Sequence, residues 1–351
     1  MTTCFISDSN LGSLLDALAE AGPVLTNRPA ADSDYATYAP HEKGAAFEYT
    51  GIRPTESLKG LLFPEREKVA EYPATSPEAP EPPAPPAVVG AANCDLKALA
   101  SLDAVFLSDD FRDGFYAHRR QELFVITQDC TNPRPTCACT YLGFKPYPEE
   151  GFDLNLSQVE GGYVVEAGSE KGRELIEGHS DLIRESTKEM LAERDSKRLA
   201  TLKAVEEINK DYVINASRRE LLAAGDVEPP WTAEVSKCVE CAACLFACPT
   251  CHCFLLYDQK SGETNERIKA WDACSYAGYS RMAGGGTPRA FLLERFRHRY
   301  MHKFDYFVEN YGFEMCSGCG RCIEACTGKI DMRKLFKALE SSEAAPAPES
   351  G

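Results

Sequence analysis

Several features that mark common classes of protein are missing from this sequence. No apolar run approaches the ~20 residues that a membrane-spanning helix needs. Residues 1–18 lack the basic start and the long apolar core of a signal peptide. Basic residues are scarce, because 38 Lys and Arg stand against 54 Asp and Glu and leave a formal net charge of −16. The sequence therefore predicts a cytoplasmic protein whose main partner is neither a membrane nor nucleic acid.

Motifs for organic cofactors and for hydrolysis are missing too. No Gly-x-Gly-x-x-Gly fingerprint follows a predicted strand, and the triplet Gly284, Gly285, Gly286 does not fit that pattern. No nucleophile and base are spaced for hydrolytic chemistry. We therefore identify no nucleotide site and no hydrolytic site in this chain.

Cysteine, by contrast, is abundant. The sixteen cysteines include two runs with the spacing C-x2-C-x2-C-x3-C, which wraps a cubane iron–sulfur cluster in bacterial ferredoxins. The first run is Cys238, Cys241, Cys244 and Cys248, and the second is Cys316, Cys319, Cys322 and Cys326. Disulfides are not expected, because the chain is long and its cysteines are bunched in ligand spacing.

The spacing also predicts how the two runs share their ligands. Three thiolates on one tight loop can reach three corners of a cube, whereas the fourth begins a helix that leads to the other cluster. We define cluster 1 by Cys238, Cys241, Cys244 and Cys326, and cluster 2 by Cys316, Cys319, Cys322 and Cys248. Structural zinc is the alternative, but it usually takes two C-x2-C pairs on separate hairpins. The sequence therefore predicts two [4Fe-4S] clusters.

Four further cysteines lie where helical and strand patterns alternate. Cys94 and Cys130 come just past predicted strands, and Cys137 and Cys139 follow in a Pro-containing loop. Loops beyond strand ends are where α/β folds place their chemistry. These four thiols predict a third [4Fe-4S] cluster, and the alternative is buried cysteine that packs as a small hydrophobic residue.

The segment between the two runs holds a second group of candidates. Cys251, Cys253 and Cys274 could replace a ligand, line a site beside a cluster, or have no redox role. His252 has no second histidine at a matching spacing, so we expect a hydrogen-bonding or exposed histidine there and not a Rieske ligand. The stretch 295–303 is basic, and it could offset cluster charge, dock an acidic partner, or form a solvated helix face.

Composition and hydrophobic pattern divide the chain into four parts. Residues 1–168 are predicted to form an α/β domain with a proline-rich excursion at 73–86. Residues 169–228 are predicted to be a helical connector, and residues 229–340 an α+β ferredoxin-like 2[4Fe-4S] domain. The two runs are separated by 67 residues, so this domain carries a long insertion. Residues 341–351 are expected to be a disordered tail.

Periodicity predicts the first elements of the α/β domain. One amphipathic helix is expected over residues 11–18, and another over residues 96–107. Strands are predicted at 88–89, 123–127 and 163–166, with shorter strand-like pieces at 47–49 and 61–63. Alternation of this kind is typical of an α/β fold.

Several motifs match one family of iron–sulfur subunits. The matching segments are Cys238–Cys251, Trp271–Cys274, Met282–Gly285, Glu294–Arg299, His302–Lys303 and Cys316–Cys322, and upstream Leu62–Glu67, Cys94–Leu96, Asp103–Leu107, Cys137–Thr140 and Gly168–Gly172. On these residues, the chain resembles the β-subunit family of cytoplasmic NAD(P)-linked sulfhydrogenases, which includes the dicluster iron–sulfur subunit of anaerobic sulfite reductase. The resemblance covers most of residues 50–335.

The resemblance implies an electron-transfer subunit of a multi-subunit oxidoreductase of the hydrogenase, sulfite reductase or heterodisulfide-reductase-linked type. One partner would be a reductase subunit that binds flavin and NAD(P). The other would be a further catalytic or bifurcating redox subunit, and catalysis would take place on these partner chains. The sequence departs from the expected pattern at 91–93 and at Thr327, which follows Cys326 in place of a proline, but no predicted ligand is lost. The alternative is an enzyme that reduces sulfur or disulfides with Cys251, Cys253 and Cys274 beside a cluster.

Overall fold

The computed structural model describes residues 3–31, 33–73, 82–224 and 228–343. The chain divides into two compact units. The first is drawn from Met1–Phe63, Pro80–Ile208 and Ser317–Cys319, and the second from Pro64–Ala79, Asn209–Cys316 and Gly320–Gly351. Positions 74–81 of the predicted excursion and 344–351 of the predicted tail lie outside the described residues. The domain boundaries drawn from the sequence stay predictions.

Strands and helices are numbered in chain order. The strands of the described residues are β1 (Thr3–Ser7), β2 (Val24–Pro29), β3 (Ala36–Pro40), β4 (Arg66–Tyr72), β5 (Ala87–Ala91), β6 (Val125–Gln128), β7 (Leu154–Val159), β8 (Gly162–Ala167), β9 (Ile183–Glu185), β10 (Phe254–Ser261) and β11 (Thr264–Trp271). The α-helices are α1 (Asp8–Ala21), α2 (Lys59–Leu62), α3 (Asn93–Phe106), α4 (Gly114–Glu122), α5 (Glu170–Gly178), α6 (Lys188–Asn209), α7 (Arg218–Ala223), α8 (Glu228–Val235), α9 (Ala243–Phe246), α10 (Leu292–Met301), α11 (Phe307–Tyr311), α12 (Arg321–Glu324) and α13 (Met332–Glu343). A π-helical turn, His302–Tyr306, joins α10 to α11.

The first unit is built on a mixed sheet with the strand order β3-β2-β5-β6-β7-β8-β1-β9. The neighbours β2, β5, β6 and β7 pair in parallel, and the outer pairs are antiparallel. Parallel strands are covered on both faces and therefore need continuous apolar residues. Val88 and Val89 of β5, Ile126 of β6 and Leu154 of β7 are accordingly buried, and Leu11 of α1 packs into the same core. An α/β fold for the N-terminal region is thereby confirmed.

Most predicted elements of this unit are present, and two are wrong. The strands predicted at 88–89, 123–127 and 163–166 overlap β5, β6 and β8, and the two predicted helices overlap α1 and α3. Residues 47–49 form no strand, because Phe47 and Tyr49 instead pack their rings against Tyr163, with centroids 6.0 and 5.9 Å away. Residues 61–62 belong to α2 and not to a strand, since Leu58 and Leu62 are buried at helical spacing.

The region predicted as a helical connector contains one strand. α5, α6 and α7 are helical as expected, but β9 pairs antiparallel with β1 and adds an edge strand to the sheet. Serine side chains cap two of the helices: Ser169 accepts a hydrogen bond from the Gly172 amide, and Ser217 forms a capping box with Glu220. Such caps satisfy backbone N–H groups that a helix start leaves unpaired.

The second unit combines an antiparallel sheet with several helices. The sheet has the order β10-β11-β4. The sequence analysis predicted no strand at the position of β4, which precedes the proline-rich segment. Trp231 of α8 packs edge-on against Phe296 and Tyr300 of α10, with ring centroids 6.2 and 5.6 Å away. Phe336 of α13 packs against Phe304 at 5.1 Å. These aromatic contacts hold α10 in place, and α10 carries cationic side chains of the candidate site.

Candidate iron–sulfur centres

The two cysteine runs adopt the same backbone conformation. The residues two and four positions after the first cysteine are left-handed in both: φ is 55° at Glu240 and 56° at Ala242, and 67° at Gly318 and 74° at Gly320. α9 and α12 each begin directly after the second of these residues. A left-handed conformation costs a residue with a Cβ about 1 kcal/mol or more. The first run adopts this unfavourable conformation at two residues that carry a Cβ, Glu240 and Ala242. The two runs therefore share one loop shape although their sequences differ.

The predicted ligands of cluster 1 line one cavity in the second unit. Cys326 of the second run lies there with Cys238, Cys241 and Cys244 of the first, and Cys322 joins them. About 590 Å³ inside this cavity, part of it open to solvent, is free of protein atoms. The fold therefore brings together the thiols that ligand spacing had grouped across two distant runs.

Two arginines of α10 add positive charge to the wall of this cavity. Arg295 is 4 % exposed, and it donates hydrogen bonds to Glu240 Oε2 at 2.9 Å and to the Ser275 carbonyl oxygen at 2.8 Å. Arg299 lines the same cavity, and its Nε has no hydrogen-bond partner in the described part of the chain. Burial alone would lower the pKa of Arg299, but the Cys244 thiol and other groups raise it well above its ordinary value. Buried cations of this kind fit an anionic thiolate-bound cluster.

A buried lysine contacts Cys248, a predicted ligand of cluster 2. Lys303 is 4 % exposed, and its Nζ lies 3.3 Å from Cys248 Sγ, 2.8 Å from Thr250 Oγ1 and 3.1 Å from the Met315 carbonyl oxygen. It belongs to the π-helical turn after α10, a distortion that is frequent at functional sites. Burial alone would lower the pKa of Lys303, but the Cys248 thiol raises it. Since Arg295 and Lys303 are both buried, the solvated-face interpretation of the basic stretch does not hold for them.

The four predicted ligands of a third cluster also line one cavity, and it lies within the first unit. Cys94 is the second residue of α3, Cys130 comes two residues after β6, and Cys137 and Cys139 follow in the next loop. About 400 Å³ of this cavity, open solvent included, is free of protein atoms. Because β5 and β6 are parallel, the loops after both strands reach the same edge of the sheet.

A fifth cysteine, Cys319 of the second run, lines this cavity as well. The Ala138 amide donates to the Gly318 carbonyl oxygen at 2.8 Å, and the Arg53 Nε donates to the Cys319 carbonyl oxygen. Gly318 has no room for a side chain, because a Cβ would lie 2.5 Å from the Ala138 oxygen. Gly318 and Cys319 belong to the first unit, together with Ala138 and Arg53.

Burial favours the protonated form of two predicted ligands in the first unit. It raises the pKa of Cys139 to about 12 and that of Cys130 well above its ordinary value. Such thiols are inert as free cysteines, and they would have to release protons to bind a metal. Arg53 and Lys145 line the same cavity and supply positive charge. Sequence reasoning missed both cations, since no local spacing ties them to the cysteines.

The arrangement of the thiols differs from that of a site for one ion. In the described residues, no group of three or more His, Cys, Asp or Glu side chains is placed so that it could hold a single metal ion. Ligands of one ion converge on a point, whereas the thiolates of a cubane bind at separate corners. None of the sixteen cysteines forms a disulfide bond.

A third cavity, in the second unit, contains the thiols of the insertion, Cys251, Cys253 and Cys274. His252 lines it together with His302, and their ring centroids are 5.6 Å apart. Burial lowers the pKa of His302 to about 3, so this ring is neutral at ordinary pH. His252 and His302 are fifty residues apart in the chain, so sequence spacing does not pair them.

Comparison with known proteins identifies the class to which this site belongs. The family model of the 4Fe-4S dicluster domain matches residues 237–330, which contain both cysteine runs. This part of the chain is therefore a 4Fe-4S dicluster domain.

A relative makes the family specific. Sulfhydrogenase 2 subunit beta of Pyrococcus furiosus is 33% identical over 252 residues, which are 70% of this chain and 72% of that relative. The chain belongs to the sulfhydrogenase β-subunit family and is an iron–sulfur electron-transfer subunit, which confirms the resemblance drawn from the motifs. Among the helices of the described residues, none has the length and apolar character that a membrane crossing requires.

Proposed function

We propose that this chain relays electrons within a multi-subunit oxidoreductase of the hydrogenase, sulfite reductase or heterodisulfide-reductase-linked type. One partner is a reductase subunit that binds flavin and NAD(P), and the other is a catalytic or bifurcating redox subunit. The name of the relative, a sulfhydrogenase subunit, supports a place among other subunits. The terminal chemistry takes place on the partners, and this chain contributes no nucleotide site. Sixteen cysteines that form no disulfide bond are suited to the reducing cytoplasm.

Two [4Fe-4S] clusters occupy the dicluster domain in this proposal. The ligands of cluster 1 are Cys238, Cys241, Cys244 and Cys326, and those of cluster 2 are Cys316, Cys319, Cys322 and Cys248. Bound clusters supply one-electron transfer. The observation that carries the proposal is that Cys326 lines one cavity with the first three cysteines of the other run.

The side chains around the thiols keep water out and compensate charge. Apolar residues such as Leu245 and Phe296 line the cluster 1 cavity, and Arg295, Arg299 and Lys303 place positive charge beside the thiols. Nearby positive charge and hydrogen bonds to sulfur raise the reduction potential of an iron–sulfur site. The chain itself therefore sets the potentials at which electrons pass.

A third [4Fe-4S] cluster is held by Cys94, Cys130, Cys137 and Cys139. This assignment is supported by the cavity that the four thiols share and by the positive charge of the buried Arg53, which lines that cavity. Anaerobic iron and sulfide analysis distinguishes about twelve irons per chain from about eight. A colourless, zinc-containing protein would instead indicate a scaffold without redox function.

The relay is tested on the complex isolated anaerobically from its source. We expect a flavoprotein to co-purify with the chain, and we expect NAD(P)H to reduce the clusters, as seen by electron paramagnetic resonance. Removal of the flavoprotein should abolish this reduction, while dithionite should still reduce the clusters. A chain that co-purifies with no redox subunit, or clusters that NAD(P)H leaves oxidised in the intact complex, would contradict the proposal.

A further inference from the structure

Three buried polar atoms near the cluster 1 cavity have no hydrogen-bond partner among the residues that the structure describes. They are Ser275 Oγ, Arg299 Nε and the Tyr300 hydroxyl oxygen. Ser275 and Arg299 line the cavity itself. Leaving a buried donor unpaired is costly, so these atoms call for an acceptor that the polypeptide does not supply.

Tyr300 lies beside predicted ligands of both clusters of the dicluster domain. Its side chain is 2 % exposed, and its ring packs edge-on against Trp231. Burial raises the pKa of Tyr300 and outweighs the opposing effect of Arg299. The Cys322 and Cys244 thiols raise this pKa as well, so both lie close enough to interact with the hydroxyl. The hydroxyl therefore keeps its proton and is a neutral donor beside these thiols.

The other arginine of α10 in this wall is arranged differently. Arg295 also lines the cavity, but the protein itself engages its donors. Its Nε donates to the Ser275 carbonyl oxygen at 2.8 Å, and its Nη2 donates to Glu240 Oε2 at 2.9 Å. Its Nη1 donates to the Ala290 carbonyl oxygen at 2.6 Å. Arg295 therefore fixes the backbone that carries Ser275, whereas the Nε of Arg299 is left for another acceptor.

The sulfur atoms of an iron–sulfur cluster are suitable acceptors. Hydrogen bonds to them stabilise the more negative, reduced cluster and so raise its reduction potential. The four proposed ligands of cluster 1 line the same cavity as Ser275 and Arg299. The unpartnered donors and the proposed ligands thus belong to one site.

We propose that Ser275, Arg299 and Tyr300 donate hydrogen bonds to sulfur atoms of cluster 1 and thereby raise its reduction potential. The inference rests on the proposed cluster 1 and assigns it donors that differ from the nearby positive charge. Ser275 and Tyr300 act without a charge, and Arg299 acts through its Nε–H in addition to its charge. These three residues therefore determine how readily cluster 1 accepts an electron.

The test uses the full chain, purified anaerobically, with its iron content measured first. Ser275→Ala and Tyr300→Phe each remove a single oxygen atom. A redox titration followed by electron paramagnetic resonance should show that the midpoint potential of one cluster falls in each variant and falls further in the double variant. Electron nuclear double resonance on the reduced protein, in ordinary and in heavy water, should show that each variant loses the coupling of an exchangeable proton. Arg299→Lys keeps the charge but has no donor at the Nε position, and it should lower the same potential.

Ser236→Ala is the matched control and should behave as wild type, because this serine is exposed and its hydroxyl donates to the Ala233 carbonyl oxygen at 2.9 Å. An iron-replete variant with the potential and the proton couplings of wild type overturns the assignment of its residue. Loss of iron from Ser275→Ala and Tyr300→Phe, with iron retained in the control, overturns the inference too, because the hydroxyls would then hold the fold and not the potential. A wild-type chain without iron would contradict the proposed function, and this inference with it.

Discussion

Replacing Lys303 by methionine removes a positive charge beside Cys248 and keeps a side chain of similar length. The lysine Nζ lies 3.3 Å from Cys248 Sγ, and Lys303 is buried. At an effective dielectric constant of about 20, a unit charge at this separation is worth roughly 5 kcal/mol, or about 200 mV for one electron. Because the added electron is spread over the cluster, we expect about half of this effect. The midpoint potential of one cluster should therefore fall by about 100 mV.

An anaerobic redox titration followed by electron paramagnetic resonance measures this shift, after iron content has been matched to wild type. Lys303→Arg keeps the charge and should restore most of the potential. Lys337→Met is the matched control, because this lysine is partly exposed and pairs with Glu340 on α13. Unchanged potentials in an iron-replete Lys303→Met protein would refute the idea that this buried charge tunes a cluster.

Three further predictions follow from the structure. Gly318→Ala should lower the free energy of unfolding by about 2 kcal/mol or more in a urea titration, because a Cβ there would lie 2.5 Å from a backbone oxygen. The control Gly312→Ala also has a positive φ but open space around it, and it should lower the free energy of unfolding clearly less. Arg198→Met should destabilise the protein by about 3–5 kcal/mol, since it leaves the buried carboxylate of Asp129 without the Nε that lies 2.7 Å away; a change below about 1 kcal/mol, the range of exposed pairs, would contradict this. Iodoacetamide should alkylate Cys253 with a midpoint well below the pH of about 8.5 expected of a free cysteine, because hydrogen bonds lower its pKa; a midpoint near that value would be the contrary result.

Ligand spacing gave sequence predictions of the shortest range, because three cysteines of each run lie within one short loop. The left-handed positions at Glu240 and Gly318 show that both runs take the shape that such spacing requires. The strands at β5 and β6 were predictable for a similar local reason, since parallel strands are short apolar runs. Grouping Cys94 with Cys130 required one further rule: loops that follow neighbouring parallel strands lie at the same edge of the sheet. The two cysteines line one cavity.

What the sequence could not predict depends on contacts between distant segments. β4 lacks an apolar pattern, because it is an edge strand in which the buried Glu67 pairs with Lys269 of β11 at 3.1 Å. Arg53 and Lys145 line the cavity of Cys94, Cys130, Cys137 and Cys139 from separate loops, and no sequence spacing marks them. Residues 47–49 have the composition of a strand, but they form none. Phe47 and Tyr49 instead pack their aromatic rings against Tyr163 of β8.

The central claim is that the fourth cysteine of each run binds the cluster of the other run. Iron analysis with electron paramagnetic resonance on anaerobically purified Cys248→Ala and Cys326→Ala tests it most directly, with Cys4→Ala as control. We predict that Cys326→Ala perturbs the cluster bound by Cys238, Cys241 and Cys244, that Cys248→Ala perturbs a different cluster, and that the control keeps all its iron. An iron-free wild-type chain, or two variants with the iron content and spectrum of wild type, would contradict the account.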